Sequence, residues 1–288
     1  MMVAEDRMII NIRTATARVQ ESGECQWLPT HCPLTSSEQR TLAPILPLPA
    51  ECNSGEPAWF VLPLAGFTAL LRCHRDGSEA HIVVYALAAS DYRACHGDAP
   101  AIIKALESFP IGHPLDQIEI SGLTRTAQVI STILAEGDAP TLLGAAQALV
   151  DGGKIHLQAE VPIPIERLTP LWNLLPSRQR ATLKIATYLN STRLLMDLAA
   201  GPSAPEHAWT WNKVGDYPEG DYEKSLHQAA TLNDNDSIAR LLGRGSRWDI
   251  IMLGLALLAV LAAGQIMLAA TGWKPPPLVR PIIQEKAP

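Results

Sequence analysis

Residues 250–273 read IIMLGLALLAVLAAGQIMLAATGW and carry no charged side chain. About 20 apolar residues in helical form cross a hydrocarbon layer of roughly 30 Å, and only Gln265 and Thr271 interrupt this run. A water-facing helix of that length needs a polar stripe, which is missing. Trp248 and Trp273 bracket the segment, as indoles do at the two membrane–water interfaces. The sequence therefore predicts one transmembrane helix over 249–273, the alternative being a helix buried in a core. Arg240, Arg244 and Arg247 precede it, and Glu5 and Asp6 stand where a secretory signal would be basic. The expectation is a tail-anchored, single-pass membrane protein held in the lipid bilayer, its N-terminal bulk in the cytoplasm. Gly254, Ala259, Ala263 and Gly264 supply small surfaces through which the anchor could form homo-oligomers.

Composition limits what the remainder does. A hydrophobic content of 47% against 18% charged residues suits a packed core. The net charge is -6 and no basic run is present, which argues against nucleic acid as a partner, because phosphate neutralisation needs clustered Lys and Arg. The 5 cysteines all fall in the first hundred residues, and an odd count without a signal reads as free thiols. Three have a histidine neighbour (His31–Cys32, Cys73–His74, Cys95–His96). Adjacent residues of a strand face opposite ways and no C-x2-C spacing occurs, so neither metal nor cofactor is expected.

Pattern along the chain predicts an α+β fold of two small mixed modules, a helical hairpin and the C-terminal membrane helix. Residues 1–110 form a β-rich module: MIINIRTATARV and AWFVL as strands, and a hairpin turning at Asp76–Gly77. Helical spacing of Ile102, Ile103, Leu106 and Phe109 follows. The second module, 111–200, holds helices over 126–135 and 140–150, a strand at KIHLQAEV and a helix over 163–175. Two strands, ATLKIATYL and LLMDLAA, then meet at an Asn190–Ser191 turn. A linker over 201–220 leads to the hairpin at 221–245, and a proline-rich tail occupies 274–288.

Chemistry-bearing patterns are sparse. There is no P-loop, no dinucleotide glycine fingerprint, no nucleophile elbow and no H-E-x-x-H. Two polar clusters remain. In DYRACHGD, Asp91, His96 and Asp98 are the candidate catalytic residues, since carboxylates beside an imidazole perform acid–base chemistry; a capped turn explains them as well. In SRQR, Arg178 and Arg180 are the candidate partner-binding residues, because paired guanidiniums bind carboxylate or phosphate; a solvated turn is the alternative.

The segment ALLRCHRDGSEAHIVVYALAASDYRACHGDAP resembles one in bacterial GTPase-associated proteins, in which an arginine-bearing hairpin leads to a D-Y…GD turn. LWNLLPSRQRATLKIATYL is similar to the Leu-Pro-x-x-Arg junction of the same proteins, and together the likeness covers residues 7–200. It implies an adaptor for a protein partner, with a GTPase-linked module as the partner class, and assigns no catalytic residue. The functional expectation is a membrane-anchored interaction protein; the alternative is a membrane-tethered hydrolase built on Asp91, His96 and Asp98.

Overall fold

In the computed structural model, which describes residues 6–29, 34–110, 115–122, 124–191 and 193–243, the run AWFVLP is a strand with both faces covered. Trp59 and Val61 enter one core, while Ala58, Phe60 and Leu62 enter the other. Its neighbours divide the same way, which is why these strands are apolar at nearly every position instead of alternating.

The elements in order are β1 (Asp6–Asn11), β2 (Arg13–Gln20), β3 (Cys25–Leu28), α1 (Ser36–Leu42), β4 (Ala58–Pro63), β5 (Phe67–Asp76) and β6 (Glu79–Ala88). There follow α2 (Ala89–Ala94), α3 (Ala99–Glu107), β7 (Gln117–Gly122), α4 (Ala127–Glu136), α5 (Ala139–Val150) and β8 (Ile155–Gln158). The chain then forms α6 (Thr169–Leu174), α7 (Ser177–Arg180), β9 (Ile185–Ala186), β10 (Leu198–Gly201), β11 (Trp209–Thr210), α8 (Asp221–Thr231) and α9 (Asn235–Gly243). Among the described residues nine strands make one sheet in the order β11-β8-β10-β9-β4-β5-β6-β2-β3. Strands β11, β8, β10 and β9 are parallel, and every pairing from β9–β4 onward is antiparallel.

Two expectations about architecture are corrected here. The two modules are one body: Phe60 of β4 pairs with Ala186 of β9, so the sheet runs straight through the boundary drawn at residue 110. Local periodicity marks strands but is silent on which distant strand completes the sheet. The single-pass, tail-anchored, membrane-localised reading is also overturned. Among the described residues no helix is long and apolar enough to cross a membrane. The longest, α5, has 12 residues and so rises about 18 Å, well short of a hydrocarbon layer of roughly 30 Å. The segment 249–273 and the tail 274–288 lie outside the described residues. Apolar content alone does not separate a membrane span from a segment that packs on protein, because both remove the same side chains from water.

Smaller differences have local causes. MIINIRTATARV is two strands, because Ile12 bonds the Asp116 carbonyl and turns β1 away to pair with β7. The β5–β6 hairpin has Asp76 paired with Glu79, so its two loop residues are Gly77 and Ser78. Gly77 takes φ +59° at the first loop position, which suits a type II′ turn. Strands β9 and β10 lie parallel, so the connection at 187–197 crosses the sheet instead of turning at Asn190–Ser191. Tyr188, Leu189, Leu194 and Met196 of that crossing fill the second core.

One face of the sheet carries the helices and the β1–β7 ribbon; the other is covered by α1, the proline-rich turns and this crossing. The apolar stripes of α8 (Leu226, Ala229, Ala230) and α9 (Ile238, Leu241, Leu242) are buried in the helical layer. The crossing is tied down by Glu51, 2% exposed. Its carboxylate accepts from the Leu48 N–H at 2.7 Å, Ser191 Oγ at 2.8 Å and Arg193 Nε and Nη2 at 2.9 and 2.6 Å.

Burial pushes this carboxyl up, but the hydrogen bonds from Arg193, Leu48 and Ser191 and the Arg193 charge outweigh it, holding Glu51 below the ordinary carboxylate value. A depressed carboxyl contributes stability that is fully present above its unfolded pKa and is lost as pH falls through the folded one. Glu51→Gln is expected to cost about 1–3 kcal/mol at neutral pH. The gap from the parent should close as pH falls below about 4. Urea unfolding of both proteins across that range checks this; a gap independent of pH means Glu51 contributes nothing through its charge.

Candidate functional site

Helix α2 ends at Cys95, and the chain reverses through His96 and Gly97, with φ of 56° and 63°. The reversal sets Asp98 as the N-cap of α3, its Oδ1 accepting the Ala101 N–H at 3.4 Å. Residue 97 has room for no side chain: a Cβ there would lie 2.6 Å from the Ala181 nitrogen. The Gly97 carbonyl accepts Trp172 Nε1–H at 2.9 Å. The turn is thus held against both α6 and the end of α7.

The two polar clusters of the sequence meet at this contact. Arg180, 1% exposed, lies 3.0 Å from Asp98 Oδ2 through Nη2 and 5.9 Å from the Trp172 ring centroid. The pair is close in distance but misaligned, so Nε and Nη2 of Arg180 have no hydrogen-bond acceptor among the described residues. The buried Tyr92 hydroxyl is likewise unpartnered. Beside them Arg125 donates to the Leu175 carbonyl and to Ser177 Oγ, each at 2.6 Å, and Tyr222 donates to the Leu174 carbonyl. These bonds satisfy carbonyls at the C-terminal end of α6 that no helical N–H can reach.

Positive charge is in excess here. Burial, followed by the Arg180 charge, lowers the Arg125 guanidinium to about 10. Partial burial and the charges of Arg125 and Arg180 hold His96 below the ordinary imidazole value. Burial raises the Cys95 thiol to about 11; its Sγ donates to the Tyr92 carbonyl at 3.0 Å, while His96 is exposed. Adjacent Cys and His therefore face apart. Among the described residues no group of His, Cys, Asp and Glu is placed to hold a metal ion, and His31–Cys32 lies outside them.

The candidate catalytic residues share a turn but not a cavity. Asp98 is tied to Arg180 and lines one groove, whereas Asp91 and His96 line neither that groove nor a second concavity between the β4–β5 turn, α2 and α7. Of the candidate partner-binding pair, Arg178 is exposed and Arg180 is not. Arg180 joins two elements of the core and presents nothing to a partner surface.

The larger concavity, about 1150 Å³, lies between α3, β7, α4 and α6. Ala101, Ile120, Val129, Ile133 and Ile165 give it apolar walls. On its wall the Asn173 amide, in a residue 5% exposed, has no side-chain partner among the described residues. Glu119, Ile120 and Ser121 of β7 all line it. Successive strand side chains point to opposite faces, so a groove touching three in a row meets the edge of the strand.

That edge is open. Ile12 N–H bonds the Asp116 carbonyl at 2.8 Å, and the β1–β7 register puts these residues opposite each other. Hydrogen-bonded pairs alternate in an antiparallel ladder, so Ile118 and Ile120 bond β1, while the N–H and C=O of Gln117, Glu119 and Ser121 point away from it. Among the described residues β7 pairs with β1 alone. Neither Arg125 nor this strand edge was singled out in the sequence. QIEISG shows a clear alternation, but whether its second edge is occupied depends on partners distant in the chain. No family model matches this chain, and no curated protein matches it.

Proposed function

We propose that this chain is a protein-binding module that takes an extended segment of a partner along the free edge of β7. The observation that carries this is the row of outward backbone groups on Gln117, Glu119 and Ser121, set in a groove with apolar walls. An added strand gains main-chain hydrogen bonds from such an edge, and pockets beside it accept alternate side chains. Exposed edges invite pairing, and natural sheets commonly block them with charge or proline. Here Glu119 is partly neutralised by Arg7 at 3.4 Å, and β7 contains no proline. The resemblance of residues 69–100 and 171–189 to GTPase-associated adaptors supports the same reading, with a GTPase-linked module as the partner class. Asp91, His96 and Asp98 then serve as turn and cap.

Ser121→Pro tests the proposal, because it deletes an outward N–H and leaves the β1 ladder intact. Peptides selected from a display library on the full chain are expected to bind Ser121→Pro at least tenfold more weakly, and Ser121→Ala within about twofold. Bound peptide should also slow hydrogen exchange at the Glu119 and Ser121 amides. Equal affinity for the proline variant, with no added protection at those amides, would remove strand addition as the mode of binding.

A further inference from the structure

The second concavity has a different chemistry. It encloses about 700 Å³ between the β4–β5 turn, α2 and the α7 region, a volume in the range that small-molecule sites occupy. Its charged lining residues are Arg93 and Arg178, and among the described residues no Asp or Glu lines it, although the chain as a whole carries a net charge of -6. A cavity lined by one sign of charge concentrates the opposite sign of ligand.

Its hydroxyls are arranged to donate. Thr68 is 2% exposed, lines the cavity, and its side chain has no hydrogen-bond partner among the described residues. A hydroxyl that lines a cavity without a protein partner keeps its proton and lone pairs for a ligand. Ser177 Oγ accepts from Arg125 at 2.6 Å, and a hydroxyl that accepts keeps its own proton to donate. Thr182, by contrast, already donates to the Gln179 carbonyl at 3.0 Å and closes the wall without offering a proton. Arg125 and Arg180 behind this wall add positive charge, with Asp98 as the carboxylate they share.

We infer that this cavity is a binding site for a small phosphate-bearing molecule. Arg93 of α2, Thr68 of β5 and Ser177 of α7 donate to the phosphate oxygens. Pro63, Leu64 and Ala89 pack the organic part. Donors arriving from three separate elements suit a tetrahedral anion with acceptors on all sides better than a planar carboxylate. The site is separate from the β7 groove, so it stands whether or not that groove binds a peptide.

The test compares phenyl phosphate with benzoate and with sodium chloride at equal ionic strength, by thermal shift and calorimetry on the full chain. Phenyl phosphate is expected to raise the melting temperature saturably, and benzoate to bind at least tenfold more weakly. Arg93→Gln and Thr68→Val should each weaken phenyl phosphate at least tenfold. Arg93 is exposed, so its variant should keep the parent melting temperature without ligand and serves as the control for folding. Shifts that match sodium chloride, benzoate binding as tightly as phenyl phosphate, or an Arg93→Gln variant that binds like the parent would each overturn the assignment.

Discussion

Arg180→Ala is expected to lower the unfolding free energy by about 3–5 kcal/mol, because it strands a carboxylate that the fold has taken out of water. Asp98, its side chain 14% exposed, would lose the guanidinium 3.0 Å away, and the Trp172 ring would lose the cation stacked on it. Folded domains have about 5–15 kcal/mol to lose, so the variant should be marginal at room temperature. Arg180→Leu combined with Asp98→Asn removes both charges and should recover much of the loss, since an uncharged pair often replaces a buried ion pair at little cost. Urea unfolding of the parent, Arg180→Leu, Asp98→Asn and the double variant provides the cycle. Losses that simply add would show that Asp98 and Arg180 do not depend on one another. The same experiment separates a structural role from a catalytic one, because the cycle reads stability alone.

Gly97→Ala should rival that effect from an exchange of one hydrogen for a methyl group. The left-handed backbone at residue 97, φ 63°, costs an alanine about 1–2 kcal/mol. The new Cβ would in addition sit 2.6 Å from the Ala181 nitrogen and 2.8 Å from the Arg180 carbonyl carbon. Relief of that overlap requires backbone to move, at a further cost of about 1–3 kcal/mol. The movement would also disturb the Gly97 carbonyl that Trp172 bonds at 2.9 Å. Thermal unfolding measures the total, and near-ultraviolet circular dichroism should report a changed Trp172 environment. An unchanged melting temperature would mean that the turn and α7 are not in contact in solution.

Both predictions rest on a junction that was half legible beforehand. DYRACHGD and SRQR each stood out as polar clusters in apolar surroundings, and the reading of the first as a capped turn describes Asp98 at the head of α3. Their partnership was not legible. Some eighty residues separate Asp98 from Arg180, and nothing in the local pattern of either records the other. Arg178 and Arg180 look equivalent on paper, but α7 sends one to solvent and the other inward. Tyr92 and Thr68 read as ordinary helix and strand residues; the buried Tyr92 hydroxyl is left unbonded by the surrounding packing, and Thr68 lines a cavity.

Elements that depend on near neighbours could be read from the chain. The β5–β6 hairpin follows from two apolar runs around a glycine, and α5 from its helical spacing and the Gly152–Gly153 stop. The stripes of α8 and α9 follow from periods of three and four. Only the tertiary structure decided how these pieces close. It joined β4 to β9 into one sheet, ran β9 and β10 parallel, left the outer edge of β7 open and buried Arg180 against Asp98. The physical reason is range. Turn geometry and side-chain periodicity are set within a few residues, whereas strand partners, open edges and buried ion pairs are chosen by whichever distant surfaces remove the most apolar area from water while satisfying the backbone.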